Sequence, residues 1–503
     1  MKLQPVIGLE THIQLKTKSK MFCSCDARAN NNEAPNTNIC PICLGHPGVL
    51  PIPNKQAIEW AILLGLALGG EIAKYSKFDR KNYFYPDLPK AYQISQFDLP
   101  IMQNGHLLIE VPNEGECDIR IERLHLEEDA AKNIHDNAGN TLVDFNRGGT
   151  PLCEIVTKPD IHSSAQAKAY LQEMRLLARC LGVSDADMEK GQLRCDVNIS
   201  LREVDDKGNA LDNKLHPKTE IKNVNSFRSV ERAIEYEIKR QTELWEIGTP
   251  PAQTTTRGWN DAKQITTEHR TKEGSADYRY FPEPDIPPLE LNEITDEVKN
   301  TMPELPWDKR NRFATEFGFK KEDTKQMIDD LALADFAEKS MSELGAWLLG
   351  REDVTEENVE EHRKKLNKLF CSWLLNKLIG LLTERKIDIR TMKITPENFA
   401  EFIIMMAENR ITGTKGLEVL DAMLENGSDP EQIISDIGAS RMDDMDALYS
   451  IIDTVIEENS KEVERYRTGE EKLIQFFVGQ VMKATKGNAD AGTTAKALKE
   501  KLQ

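Results

Sequence analysis

Four cysteines near the start of the chain stand in two close pairs, Cys23 with Cys25 and Cys40 with Cys43. The spacing is Cys-x-Cys, fourteen intervening residues, then Cys-x-x-Cys. Thiolates two and three residues apart can share one tetrahedral ion when the chain turns between them, and four protein ligands leave no open position. The spacing therefore predicts a structural zinc site that pins the loop 26–39 to its domain. The alternative is four buried cysteines without a metal.

A second set of chemically capable residues lies in stretches where apolar and polar residues alternate. In residues 6–15, a period of two places Leu9 and Ile13 on one face and Glu10 and His12 on the other. Other strand-like stretches each present a single carboxylate in the same way, namely Glu154 in 151–156, Asp196 in 193–200 and Glu220 in 218–222. Acidic residues are almost never fully buried without a partner, so Glu154, in an otherwise apolar run, needs one.

These stretches could be neighbouring strands of one sheet, in which case their carboxylates would converge. Lys218, Lys222 and Arg194 would then lie beside them, and the run 125–129 adds three more acids. Converging carboxylates bind Mg²⁺, whereas lysine and arginine suit phosphates. The alternative is that each stretch is an ordinary sheet face turned to solvent.

The kind of secondary structure predicted to position these residues changes along the chain. About the first 290 residues mix strands with helices, including one capped by Ser163 or Ser164 that stops at Gly182. A proline-rich stretch at 281–288 indicates a boundary, everything after it has a helical pattern, and a second boundary is expected near 410–414. We expect an α+β fold with domains at 1–292, 293–409 and 410–503.

Composition excludes several classes of protein. The 503 residues are 39% hydrophobic and 30% charged, which is too apolar for wholesale disorder. The most apolar stretch, 61–68, is far short of the ~20 residues of a spanning helix, so we expect a cytoplasmic protein without a membrane partner. A net charge of −19 argues against a protein that coats nucleic acid non-specifically. The charge is unevenly distributed, because residues 461–503 hold nine basic and six acidic residues.

Familiar nucleotide motifs are absent from the sequence. It contains no G-x-x-x-x-G-K-[ST] loop and no G-x-G-x-x-G fingerprint, so a nucleotide site would be of a less common kind. Long, idiosyncratic blocks stand instead at 6–12, 77–87, 143–155, 193–200, 218–223 and 274–285. In these blocks the chain resembles the GatB proteins of tRNA-dependent amidotransferases, which belong to the GatB/GatE family. The resemblance covers essentially the whole chain. The related archaeal protein of that family carries an inserted domain for which no room exists after Pro288.

The resemblance implies a cradle domain with a largely antiparallel sheet, an all-α helical domain and a small all-α YqeY-like tail. It implies a ligase that uses ATP to phosphorylate the side-chain carboxylate of misacylated Glu-tRNA(Gln) or Asp-tRNA(Asn). Ammonia from an amidase (glutaminase) partner, GatA, then displaces the phosphate, and a small third protein, GatC, completes a heterotrimer. Because the amidase supplies the ammonia, no glutaminase machinery is expected here.

The resemblance also assigns residues. The implied catalytic residues and Mg²⁺ ligands are Glu10, His12, Glu128, Glu154, Asp196 and Glu220, with Glu127 as the alternative to Glu128. Candidate contacts to ATP or to the tRNA 3′ end are Lys81, Tyr83, Asn198, Ser200 and Lys222. A competing hypothesis is a non-catalytic scaffold that docks tRNA. The two differ in whether Asp, Glu and His of distant strands converge on one cation, and the scaffold is favoured if Glu10, His12, Asp196 and Glu220 lie far apart.

Overall fold

The computed structural model describes residues 2–28, 34–136, 138–212, 214–271, 277–440, 442 and 445–502. The chain divides into two compact units, Met1–Leu305 and Pro306–Gln503. Residues 29–33 of the predicted metal-pinned loop and residues 274–276 of the last sequence block lie outside the described residues.

The first unit holds the strands. In chain order they are β1 (Lys2–Gln14), β2 (Glu71–Ile72), β3 (Tyr75–Ser76), β4 (Asp79–Asn82), β5 (Tyr92–Ser95), β6 (Met102–Val111), β7 (Gly115–Glu128), β8 (Lys132–His135), β9 (Thr141–Asp144), β10 (Pro151–Thr157), β11 (Leu193–Val204), β12 (Thr219–Val224), β13 (Thr255–Asn260), β14 (Ile265–Thr271), β15 (Phe281–Pro282) and β16 (Leu289–Glu290).

The largest sheet is built around β1. Its strand order is β14-β13-β12-β11-β1-β10-β7-β6-β2. Every neighbouring pair is antiparallel except β12 with β13, which run parallel. The expected α+β fold with a largely antiparallel sheet is therefore confirmed, and the four strands singled out by their carboxylates are consecutive in it.

Alternation along β1 follows the predicted period of two. Leu9 is 1% exposed and Ile13 fully buried, whereas the side chains of Glu10 and His12 keep 32% and 17% of their surface. The sheet therefore has an apolar face and a face that carries the polar residues.

Helices follow in the same chain order. The first unit contains α1 (Lys55–Ala67), α2 (Ser164–Cys180), α3 (Phe227–Glu246) and α4 (Asn292–Lys299). The second contains α5 (Pro306–Glu316), α6 (Lys321–Ile328), α7 (Leu331–Leu349), α8 (Val359–Cys371), α9 (Ile379–Arg385), α10 (Pro396–Ala407), α11 (Gly413–Asn426), α12 (Pro430–Ile437), α13 (Met445–Glu458), α14 (Ser460–Arg467), α15 (Ile474–Ala484) and α16 (Ala491–Leu502). A π-helical turn, Ser372–Leu378, joins α8 to α9, and 3₁₀ turns lie at Ile389–Thr391 and Glu471–Leu473.

Helices α2 and α3 pack against each other and onto the apolar side of the sheet. The capping residue of α2 is Ser163, whose side chain accepts a hydrogen bond from the Gln166 amide, and Gly182 follows with a φ of +68°. From α3, the Gln241 amide donates to the Thr219 hydroxyl at 3.3 Å. Thr219 alternates with Glu220 in β12, so α3 covers the face opposite the carboxylate.

In the described part of the second unit, every named element is a helix or a helical turn. Thr395 caps α10 and Pro396 is its first residue, and Thr412 caps α11. The last segment has an apolar core of its own, which includes Ile452 of α13 and Phe477 of α15. Among the described helices of both units, none combines the length and apolar character that crossing a bilayer requires.

Candidate active site and metal centres

The polar face of the sheet brings the predicted carboxylates into register across neighbouring strands. Glu10 of β1 lies opposite Asp196 of β11, and His12 lies opposite Glu154 of β10. The next strand along, β12, places Glu220 opposite Asn198. Five consecutive strands, from β12 to β7, therefore contribute to one polar surface that α3 leaves uncovered.

His12 is the centre of this surface. Its Nε2 atom lies 3.3 Å from Glu154 Oε2, 3.6 Å from Glu127 Oε1 and 3.8 Å from Glu10 Oε1. Burial would lower the pKa of His12, but the hydrogen bond and the negative charge of Glu154, with the other two carboxylates, raise it to about 9. The cluster therefore has an excess of negative charge, and it favours a bound cation.

His125 also belongs to this cluster, although it is not among the site residues predicted from the sequence. Its Nε2 lies 3.3 Å from Glu154 Oε2 and 3.9 Å from Glu127 Oε2. Its Nδ1 is buried and has no hydrogen-bond partner among the described residues. His125 and Glu127 stand two residues apart in β7, so the period-two test applied to β1 could have found both.

Glu127 and Glu128 point to different environments. Glu127 reaches the cluster, where Ser95 Oγ also donates to it at 3.3 Å. Glu128 is held elsewhere: its Oε1 lies 2.5 Å from Lys90 Nζ and accepts the Ile94 amide at 2.9 Å. The sequence left this choice open, and the structure brings Glu127, not Glu128, to His12.

Asp196 and Glu220 share a lysine. Lys222 Nζ lies 2.7 Å from Asp196 Oδ2 and 3.1 Å from Glu220 Oε1. Thr256 Oγ1 donates to the other oxygen of Glu220 at 2.9 Å. Although burial opposes it, the charges of the two carboxylates raise the pKa of Lys222. These two acids therefore form an ion-paired group beside the His12 cluster.

Glu10 connects the two groups. Burial and the charge of Glu154 raise the pKa of the Glu10 carboxyl, against the opposing charge of His12. Asp196 raises it further, and Lys222 lowers it. Glu10 thus responds to charges on both sides of β1.

The predicted nucleotide or tRNA contacts are distributed between this surface, which holds Lys222 and Asn198, and the neighbouring strand β4, which holds Lys81. Lys81 of β4 has its Nζ 5.2 Å from the ring centre of Tyr278 and 6.0 Å from that of Tyr83. Burial lowers the pKa of Lys81, but the negative charge of Glu127 raises it above the usual value. The lysine therefore lies close enough to the cluster to interact with its negative charge. In β11, Asn198 Oδ1 is buried without a hydrogen-bond partner in the described part of the chain, and Ser200 is buried opposite Val6.

The four cysteines of the two predicted pairs come together. The Sγ atoms of Cys23, Cys25, Cys40 and Cys43 all lie within 4.8 Å of one another. A hydrogen bond from the Cys23 thiol lowers the pKa of Cys43 to about 4 although burial opposes it. Four sulfur donors with one thiolate already favoured match the tetrahedral preference of zinc.

A buried lysine accompanies this cysteine cluster. Lys20 is 1% exposed, and its Nζ lies 3.0 Å from the Asn38 carbonyl, 3.5 Å from the Phe145 carbonyl and 3.9 Å from Cys43 Sγ. No carboxylate of the described residues forms an ion pair with it. Because a buried ammonium requires a negative partner, thiolates at the cysteine cluster are the compensation that the structure offers.

Comparisons with known proteins identify the family of this chain. A family model described as the GatB/GatE catalytic domain matches residues 5–297, and one described as the GatB domain matches residues 353–502. The chain is 45% identical to a protein of Rippkaea orientalis, over all of this chain and 98% of that relative. Relatives from Persephonella marina and Thermotoga maritima are 44% and 43% identical over the full length of both chains. All three relatives are named as the B component of an aspartyl/glutamyl-tRNA(Asn/Gln) amidotransferase.

Proposed function

This chain belongs to the GatB/GatE family, and on that premise we propose that it phosphorylates and amidates the side-chain carboxylate of tRNA-bound glutamate or aspartate. The substrates are misacylated Glu-tRNA(Gln), Asp-tRNA(Asn) or both, and the products are Gln-tRNA(Gln) and Asn-tRNA(Asn). The observation that carries the proposal is the meeting of carboxylates from β1, β7 and β10 around His12, on the face of the sheet opposite α3.

The reaction proceeds in two steps. A carboxylate oxygen of the substrate attacks the γ-phosphorus of ATP; a new O–P bond forms as the bond to the bridging oxygen breaks, and ADP leaves. Ammonia then attacks the acyl carbon, inorganic phosphate leaves with the bonding electron pair, and the nitrogen loses a proton to form the amide. Glutamine hydrolysis in a partner amidase, GatA, supplies the ammonia, and GatC completes the heterotrimer.

The cluster residues fit a divalent cation. Ligand atoms of Glu10, His12 and Glu154 lie within 4.8 Å of one another, and so do those of His125, Glu127 and Glu154. The carboxylates of these two groups would hold Mg²⁺, which supplies charge neutralisation at the phosphoryl oxygens. We assign the same region to the catalytic and metal-binding role expected from the sequence, with Glu127 in the place of Glu128.

Other residues of the polar face suit the phosphates and the substrate carboxylate. Lys222 neutralises Asp196 and Glu220 and therefore keeps these acids from repelling an incoming anion. Lys81 presents a second cation, backed by Tyr83 and Tyr278. Asn198, whose side-chain oxygen is buried without a partner among the described residues, would bind an anion through its amide Nδ2 donor.

The remaining assignments follow from the family and are part of the same proposal. The four cysteines hold a structural Zn²⁺, and the protein acts in the cytoplasm. We retain three domains, 1–292, 293–409 and 410–503, the last being a YqeY-like domain that contacts tRNA. The separate apolar core around Ile452 and Phe477 supports independent folding of this tail.

A non-catalytic docking scaffold is the competing function. It requires the polar strand faces to be ordinary solvated surface with their acids far apart. The distances around His12 and Lys222 argue against that requirement.

The test is transfer of label from γ-labelled ATP to misacylated tRNA in the assembled complex, with glutamine omitted. We expect Glu10→Ala to abolish the labelled aminoacyl-tRNA while glutaminase activity, assayed separately, persists. Glu116→Ala, at the exposed far end of β7, is the matched control and should transfer label normally. Normal label transfer by the Glu10 variant would refute the proposal.

A further inference from the structure

We propose that Lys90 is a positioning residue that holds the end of β7 in place for the carboxylate cluster around His12. Lys90 is itself held by residues 40–45, called the cysteine segment below. The proposal rests on the proposed function, because it assumes that the Glu127 carboxylate helps to bind the divalent cation. It adds a contact between the proposed zinc site at the four cysteines and the proposed cation site around His12, which lie on separate elements of the first unit.

Lys90 and Glu128 form a buried ion pair. Their Nζ and Oε1 atoms lie 2.5 Å apart, and only 11% and 5% of the two side chains are exposed. The main chain of Glu128 is fixed as well, since Gln93 Nε2 donates to its carbonyl at 2.6 Å. Removing one partner of such a pair leaves an uncompensated charge in a buried site, so Glu128 cannot simply remain where it is without Lys90.

Glu127 is the residue before this anchor. Its carboxylate lies 3.6 Å from His12 Nε2 and faces the cluster from the end of β7. Glu127 and Glu128 share one planar peptide, so a displacement of the Glu128 main chain would also move the Glu127 carbonyl. Lys90 therefore acts on the cation site through Glu128, without touching the cation.

Gly45 of the cysteine segment packs directly on Lys90. Gly45 has a φ of +68°, and a Cβ atom built there would lie 2.3 Å from Lys90 Cγ. The turn that brings it there starts at Cys40, whose carbonyl accepts the Leu44 amide at 3.1 Å, and Gly45 donates to the Ile42 carbonyl. The space that a side chain would occupy is thus filled by the aliphatic stem of Lys90.

One cavity of about 230 Å³ joins these parts, and its wall includes Cys43, Gly45, Lys90 and Glu128. A metal that fixes the four sulfurs would fix the Cys40–Gly45 turn, and that turn sets the position of Lys90. Outer partners of ligating residues typically change metal affinity or activity 10- to 100-fold when mutated. We therefore expect loading of the cysteine site to alter cation affinity at the carboxylate cluster.

The experiment measures the Kd of Mn²⁺, as a probe of the carboxylate cluster, for the full chain by electron paramagnetic resonance of the free ion. Lys90→Met should raise the Kd about tenfold. Lys90→Arg keeps the charge and should stay within about threefold of wild type. Lys55→Met, an exposed lysine in α1, is the control and should bind as wild type. Zinc content and melting temperature identify any variant that has merely lost its fold.

A Lys90→Met chain that binds Mn²⁺ like wild type overturns the role of Lys90 alone. A wild-type chain that binds no Mn²⁺ overturns the proposed cation site as well, so the two failures are distinguishable. The link to the cysteine segment is tested by combining Cys40→Ser with Lys90→Met. Since both changes would act through one contact, the double variant should bind Mn²⁺ no more weakly than the weaker-binding single variant. A Kd raised by the product of the two single effects would overturn the link.

Discussion

His12 and Glu154 face each other across β1 and β10, with the imidazole Nε2 3.3 Å from the carboxylate Oε2. This pair is where acids from three strands meet, because Glu10 precedes His12 in β1 and Glu127 approaches from β7. Changes at this point should therefore affect cation binding and phosphoryl transfer together.

The variant Glu154→Gln should remove the central negative charge while keeping the shape of the side chain. We expect phosphoryl transfer to misacylated tRNA to fall at least about 100-fold, the upper range for residues around a metal. The measurement is label transfer from γ-labelled ATP in the assembled complex. Glu122→Gln, exposed in β7, should retain activity, and full activity of the Glu154 variant would remove this residue from the site.

The variant His125→Gln tests the one member of the cluster that the sequence motifs did not point to. His125 holds Glu154 from the side opposite His12, so its loss should free that carboxylate and raise the Kd for Mn²⁺ about tenfold. Titration of Mn²⁺ into the full chain gives the answer. His106→Gln, whose imidazole is mostly exposed, is the control. An unchanged affinity for Mn²⁺ would show that His125 only packs against its neighbours.

The variant Cys40→Ser tests the zinc assignment. Loss of one of four thiolates should lower zinc content well below one ion per chain and reduce the melting temperature, because structural zinc contributes directly to folding. Metal content is measured by atomic absorption. Cys117→Ser, outside the cysteine cluster, should keep the zinc. Unchanged stoichiometry in the Cys40 variant would contradict the site.

The variant Lys20→Met tests whether this buried ammonium offsets thiolate charge. Two carbonyls, of Asn38 and Phe145, would also lose their donor, at a cost of about 1–3 kcal/mol each if left unpaired. We expect zinc to be extracted about tenfold faster by a chromogenic chelator, as for other outer partners of a metal site. Lys18→Met, an exposed neighbour, should behave as wild type. Equal extraction rates would show that Lys20 has only a packing role.

Deletion of the chain after residue 410 tests the tail. Residues 461–503 carry nine basic and six acidic residues, so the loss of a few lysine–phosphate contacts should weaken tRNA binding about tenfold or more at low salt. Filter binding at two salt concentrations measures this loss and its salt slope. Unchanged affinity would mean that the tail's charges only face solvent.

The sequence predicted the faces of β1, β11 and β12 because side chains in a strand alternate whatever its neighbours are. For β10 it predicted only that Glu154, in an apolar run, needs a partner. It could not choose between Glu127 and Glu128, since that choice depends on where β7 ends and on the contact with Lys90. His125 was missed although the same alternation applied to it. Lys90 could not be found at all, because only the folded chain brings residue 45 against residue 90.

The central place of β1 in the sheet has a consequence for synthesis. Its partners β10 and β11 begin about 150 and 190 residues later in the chain. At ribosomal rates of about 5–20 residues per second, β1 waits on the order of 10–40 s for both neighbours. During that interval its two edges and its apolar face are open to wrong partners. We therefore expect the proposed active-site surface to form late, and a chaperone that shields the nascent chain to raise the yield of active protein.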